Sequence, residues 1–171
     1  MANLIQMTEG LEADIMLFSD ADVDVPDDSV DHAVAPFKLA DVGLVTFPYR
    51  SVPGPGLASR IEALITNTHV LPSVAMALEV EGLHFALGAS IGVRREALER
   101  AGGLEALMGV CGDDYEMARN IERAGYRLKL IPLMLEHLLE GAGWRDAASR
   151  QLRWARVVRA ERTLGYLGQI V

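Results

Sequence analysis

Apolar and polar positions along this chain switch between a strand-like and a helical period. Ile15-Met16-Leu17-Phe18 is an unbroken apolar run. It predicts a strand over 14–19 of the kind covered on both faces in a parallel sheet. Val42 to Phe47 predicts a second strand. Between them Asp27, Asp28 and Ser29 offer N-caps for a helix running to about Leu39, its last turn weakened by Pro36. The Pro/Gly stretch 51–56 predicts an irregular loop. A long helical pattern follows from Leu57 to about Leu78, interrupted near Pro72. Leu83–Leu87 and Ala89–Val93 predict two short strands divided by Gly88. Helix Arg94–Ala101 stops at Gly102-Gly103, and helix Asp113–Ala124 stops at Gly125. Strand Tyr126–Leu130 comes next, then an apolar stretch, 131–136, of ambiguous type. Helix Arg145–Arg162 closes the pattern, with a loose tail after Gly165. Residues 3–12 have a ragged apolar face and no capping residue ahead of them, so they predict the end of a helix that opens upstream. Strands alternating with helices make the class α/β.

Composition narrows the picture. A chain of 171 residues, half of them hydrophobic and 23% charged, is one globular domain or a large piece of one. No unbroken apolar run approaches the ~18–20 residues of a membrane span. Glu9, Glu12 and Asp14 near the start, without a basic n-region, do not make a signal peptide. Cys111 is the single cysteine, which excludes an internal disulfide; a small core residue is the simplest role for it. The net charge of -8 conceals an asymmetry, because residues 145–162 hold six arginines against Asp146 and Glu161. A basic closing helix on an acidic body suggests phosphate or an anionic surface as its neighbour. The acidic balance argues against nucleic acid.

The candidate chemistry begins where the first strand ends. Asp20 and Asp22, with Asp24 behind, would lie outside the carboxyl end of a strand, where α/β sheets gather ligands. Two such carboxylates suit a divalent cation of the Mn or Mg type, or else form a solvated acidic junction. An EF-hand would need Gly at Val25 and Glu at Asp31. A haloacid-dehalogenase-like phosphatase also places two Asp two apart after an apolar strand, and Val110–Asp114 could imitate its second turn. That chemistry needs a lysine, and the chain has only Lys38 and Lys129. Asp113 and Glu116 suit a capping box at a helix start, and Asp114 beside them could be a general base. Arg150 and Arg153 share a helix face next to Trp154, a pairing that suits a diphosphate with a flat wall for a sugar or base. Arg156, Arg159 and Arg162 fit a solvated basic face or anionic lipid. His69 in Asn67-Thr68-His69 and the turn Gly88-Ala89-Ser90 are weaker signals. His84 and His137 suggest no partner.

Together these motifs resemble an inverting GT-A glycosyltransferase of the family 2/21 type, close to ceramide glucosyltransferases and hopanoid-associated bacterial enzymes. The likeness is carried by Ser19-Asp20-Ala21-Asp22, Asn67-Thr68-His69, Gly88-Ala89-Ser90 with Arg94–Leu98, Gly102-Gly103-Leu104, Asp113-Asp114-Tyr115 and Arg150-Gln151-Leu152-Arg153-Trp154. The resemblance implies a mixed sheet flanked by helices, with residues 1–171 the C-terminal portion of one GT-A catalytic domain and 145–162 its RxxRW helix. It implies that Asp20 and Asp22 hold the metal, Asp22 the more directly, and that Asp114 is the base. Arg150, Arg153, Trp154, Gly88, Ser90 and His69 would line the UDP-sugar site. A lipid hydroxyl such as that of ceramide would be the acceptor, at the cytoplasmic face of a membrane in a longer parent. The family's first βαβ half and membrane helices are not recognised here. The segment by itself is therefore expected to be soluble, to bind UDP-sugar weakly and to turn over little. A non-catalytic fragment forming a homo-oligomer through an exposed sheet edge is the other alternative.

Overall fold

The computed structural model describes residues 1–139 and 143–161. The order is α1 (Ala2–Thr8), β1 (Ile15–Ser19), β2 (Val23–Asp24), α2 (Ser29–Val34), β3 (Val42–Thr46), β4 (Tyr49–Pro53), α3 (Leu57–Ile65), α4 (Leu71–Glu81), β5 (Ser90–Arg94), α5 (Arg95–Arg100), α6 (Asp113–Arg123), β6 (Arg127–Leu130), β7 (Leu135–Leu139) and α7 (Trp144–Glu161). Arg162 and the tail after Gly165 lie outside the described residues. Four strands form one sheet in the order β1-β5-β3-β6, and three form another in the order β2-β7-β4. Both sheets are mixed. Strand β5 runs antiparallel to β1 and β3, and β3 is parallel to β6. In the small sheet β7 is antiparallel to β2 and parallel to β4.

Strand β3 is the spine. All five of its residues are buried, and their alternation feeds two cores. Leu44 joins Ile121, Leu128 and Met117 on one face, while Val42 and Val45 join Phe37, Phe47 and Leu135 on the other. Leu44 and Val45 point to opposite faces by strand alternation, and a register irregularity between Val42 and Leu44 lets Val42 share the face of Val45.

Several expectations are corrected. Strand β1 is an edge strand with an antiparallel neighbour, not a strand covered inside a parallel sheet; Leu17 is 38% exposed. Its unbroken apolarity has a local cause. Met16 enters the core, whereas Leu17 and Phe18 line an apolar cavity of about 260 Å³ together with Met1, Leu4 and Met7 from the region of α1. The 51–56 stretch is partly strand, since Ser51, Val52 and Pro53 pair with β7. Pro53 is tolerated because β4 is an edge, where a missing N–H breaks no second ladder. Residues 83–87 are not a strand. Thr46 Oγ1 donates to Leu87 O at 3.1 Å and accepts from Leu87 N at 2.8 Å, drawing that segment across the end of the sheet. The 131–136 stretch resolves late, into β7 from Leu135.

The long helix is interrupted by a π turn at Thr66–Val70, just ahead of Pro72. A proline ring clashes with the carbonyl four residues back and removes a donor, and the wider turn absorbs both. From Leu57 to Glu81 this helix is 25 residues long and apolar enough to cross a membrane by length and composition. Scattered polar residues such as Asn67 and Thr68 break the apolar runs of this stretch without lowering its average hydropathy below that mark. Most of the helix is uncovered: Leu64, Met76 and Val80 are 61%, 71% and 74% exposed.

Gly43 decides how α6 seats on the sheet. A Cβ there would stand 2.6 Å from Tyr126 Cβ and 2.8 Å from Ile121. We expect Gly43→Ala to cost about 1–3 kcal/mol through overpacking, measured by urea denaturation. An unchanged midpoint would contradict this packing.

Candidate active site

The sheet ends converge on one polar cleft. Strand β1 delivers Asp20, whose N–H donates to Ala89 O at 3.0 Å and so extends the β1–β5 ladder by one step. The turn to β2 carries Asp22, whose carbonyl accepts from Leu138 N at 2.7 Å. Strand β4 opens with Tyr49, α6 with Asp113 and Asp114, and α7 brings Arg150, Arg153 and Trp154. All of these, with Gly88, His137 and Cys111, line a cleft of about 390 Å³. Six separate sequence regions meet there.

Negative charge dominates the near wall. Partial burial, and then the charge of Asp22, raise the pKa of Asp20. Burial also raises that of Asp114, opposed by the N–H of Tyr115, which donates to Asp114 Oδ1 at 2.8 Å. Gly88 lies against this carboxylate: a Cβ on it would come 3.0 Å from Asp114 Oδ2. Absence of a side chain at residue 88 is what lets the loop and the helix start approach so closely. The Tyr49 hydroxyl is pushed up to about 12 by burial and then by Asp114, Asp20 and Asp22. It stays a neutral donor.

The capping box does not form. Gly112 occupies the N-cap, Asp113 is already helical, and Glu116 turns to Arg119 and Arg123. The acids Asp113 and Asp114 are thereby left facing the cleft. A carboxylate held partly buried at a helix start in this way has the chemistry to take a proton from a hydroxyl.

The two arginines of the cleft differ in their partners. Arg150 lines the cleft, but its guanidinium is committed: Nε and Nη2 donate to the two carboxylate oxygens of Glu62 at 2.8 and 2.6 Å. Glu62 is 2% exposed. The pair joins α3 to α7 and fixes the rotation of α7, from which Arg153 and Trp154 project. Arg153 makes no ion pair among the described residues, so it is the guanidinium available to an anion in the cleft. The basic end of the RxxRW pattern thus divides into an anchor and a binding group.

Residues that pattern reading missed complete the site. Glu62 shares a buried stripe with Ala58, Ser59 and Ala63; one acid among small residues on a helix face was its signal. His137 has partners after all, as does His84, which meets Glu122 at 2.6 Å. Asn67 pairs with Ser51 as a strand would, accepting from Ser51 N at 2.8 Å and donating to Ser51 O at 2.9 Å. Its neighbour His69 is exposed and does not line the cleft. Ser90 is buried in β5 and shares a hydrogen bond with Ser19 at 2.7 Å, beneath the cleft and not in it. Cys111, expected in the core, is exposed at the rim. Neither lysine lines the cleft, which removes the group a phosphatase of the alternative type would need.

Asp20 and Asp22 fit a hard divalent cation by their oxygen donors and by the repulsion between them. No three His, Cys, Asp or Glu residues come together as a metal site among the described residues. A cation here would therefore take its remaining ligands from water and a bound phosphate, the usual arrangement for Mg-type ions.

Removing Arg150 leaves a buried carboxylate unpaired. Arg150→Met is expected to lower stability by about 3 kcal/mol, and adding Glu62→Gln should restore most of it. Urea denaturation of the two single variants and the double variant checks this; additive losses would contradict the pairing.

No curated protein matches the sequence. Among solved structures the chain matches the crystal structure of mannosyl-3-phosphoglycerate synthase from Rubrobacter xylanophilus, with 17% identity and a TM-score of 0.48. The match covers 95% of this chain and 51% of that one, so the chain spans about half the length of that protein. The family model described as glycosyl transferase family 21 matches residues 1–171. With DxD-type acids, a helix-start Asp and an RxxRW helix meeting in one cleft, the chain belongs to glycosyl transferase family 21.

Proposed function

We propose that this chain is the C-terminal portion of a GT-A domain that moves a sugar of the glucose or GlcNAc type from a UDP-sugar to a lipid hydroxyl, such as that of ceramide, with inversion. The observation that carries the proposal is the shared cleft: Asp20, Asp22, Asp114, Arg153 and Trp154 line a single space. Each supplies one requirement of a direct displacement. Asp114 accepts the proton of the acceptor hydroxyl as its oxygen attacks the anomeric carbon. The bond from that carbon to the diphosphate oxygen breaks on the opposite face, and its electron pair leaves with UDP. One attack on one face inverts the configuration.

Arg153 faces the charge that grows on the departing diphosphate, and such preorganised cations are among the larger contributions to catalysis. A manganese or magnesium ion held by Asp22 and Asp20 would neutralise the same charge as a Lewis acid. Trp154 offers an apolar face for a sugar ring. Burial works in favour of Asp114 as base, because a raised pKa makes the carboxylate a better proton acceptor.

The acceptor class is supported by the exposed apolar helix Leu57–Glu81, which α3 joins to α7 through Glu62 and Arg150. In this reading the helix lies at the cytoplasmic face of a membrane and the cleft opens near the lipid.

Three outcomes follow for the full-length polypeptide. Asp22→Ala abolishes manganese-dependent UDP binding in calorimetry, whereas generic phosphoesters are not hydrolysed. Asp114→Asn lowers kcat by about 10²–10⁴-fold while UDP still binds; retained turnover would remove Asp114 from the role. The base acts only when ionised, and its pKa is raised. The acid limb of kcat/KM should therefore fall at higher pH than that of an ordinary aspartate, with activity lost as pH drops.

A further inference from the structure

We propose that His137 is a positioning residue for Asp22, locking one oxygen of that carboxylate so that the other faces the cleft. The inference rests on the metal role given to Asp22 above. His137 is 8% exposed and sits in the middle strand of the small sheet. Its register partners are Val23 on β2 and Ser51 on β4, so the strand pairing itself sets the ring between the two neighbours it serves. Nε2 lies 3.3 Å from Asp22 Oδ2, and Nδ1 lies 3.3 Å from Ser51 Oγ. The neutral tautomer with hydrogen on Nε2 donates to Asp22 and accepts from the Ser51 hydroxyl, which satisfies both nitrogens.

The ring is fixed on every side. Tyr49 meets it edge-on with centroids 5.8 Å apart, and Trp154 meets it at a tilt at 6.4 Å. Ser51 is itself held by the side-chain amide of Asn67. Asp22, by contrast, has a side chain 56% exposed and would otherwise sample several rotamers. A partly exposed ligand oriented by a buried imidazole is the arrangement by which outer groups tune a metal site, and loss of such a partner typically weakens metal affinity. The contact to Trp154 also places the acidic turn and α7 on one shared support.

The test is manganese binding in the presence of UDP, followed by Mn(II) EPR and calorimetry on the full-length polypeptide. His137→Phe keeps a ring between Tyr49 and Trp154 but cannot donate to Asp22. It should raise the manganese dissociation constant roughly 10- to 100-fold, with the melting temperature near wild type. His137→Gln, which retains an N–H donor, should recover most of the affinity. Ser51→Ala removes the hydroxyl behind Nδ1 and should weaken manganese in the same direction by a smaller factor. Wild-type manganese affinity in His137→Phe overturns the inference. If that variant does not fold, wild-type affinity in Ser51→Ala overturns it. Wild-type protein that binds UDP without any dependence on manganese overturns the metal reading of Asp22, and the inference falls with it.

Discussion

A carboxylate taken out of water must be given a partner, and Glu62 has Arg150. That bidentate pair is the constraint on which the far wall of the cleft depends. It crosses from α3 to α7, with Glu62 fully buried and Arg150 partly exposed, so that loss of Arg150 leaves a buried charge uncompensated. With α7 so fixed, Arg153 and Trp154 can only face the acids at the sheet end. The same pair ties the apolar helix Leu57–Glu81 to the cleft. The exposed apolar helix and the cleft therefore share one joint.

The near wall obeys a different rule. Four carboxylates, Asp20, Asp22, Asp113 and Asp114, are held in one space by backbone that has little freedom to relax. The β1–β5 ladder fixes Asp20, the turn into β2 fixes Asp22, and the start of α6 fixes the other two. Burial foremost, with repulsion from neighbouring acids adding to it, raises the pKa values of Asp20 and Asp114. Such a wall is costly when empty of cations and selective for whatever brings positive charge with it. In the proposed reaction it also divides labour: the outer acids attract a cation, while the more buried Asp114 keeps its basicity for the acceptor.

Much of this was legible in the sequence because the relevant signals are local. Asp20 and Asp22 end an apolar run, Asp114 opens a helix, and Arg153-Trp154 lie within one turn of each other. The supporting residues were not legible because their meaning depends on pairing between distant segments. His137 gains its partners from the register of β7 with β2 and β4, and just past the ambiguous apolar stretch 131–136 that register could not be read. Asn67 matters, and not its conspicuous neighbour His69, because a π turn aims its amide at the free edge of β4. Arg150 was expected to bind the diphosphate from its chemistry alone. Glu62, 88 positions earlier, claims it. The errors in strand assignment have a similar origin: Thr46 draws Leu87 out of strand geometry, and Pro53 is accepted because β4 is an edge.

The central claim is that this cleft belongs to a single-displacement sugar transfer onto a lipid. It is tested most directly by incubating the full-length polypeptide with UDP-glucose and ceramide-containing vesicles and assigning the anomeric configuration of the product by NMR. The account predicts a β-linked glycolipid from the α-linked donor, formed in step with UDP release. An α-linked product, or release of UDP with no glycolipid, would contradict it.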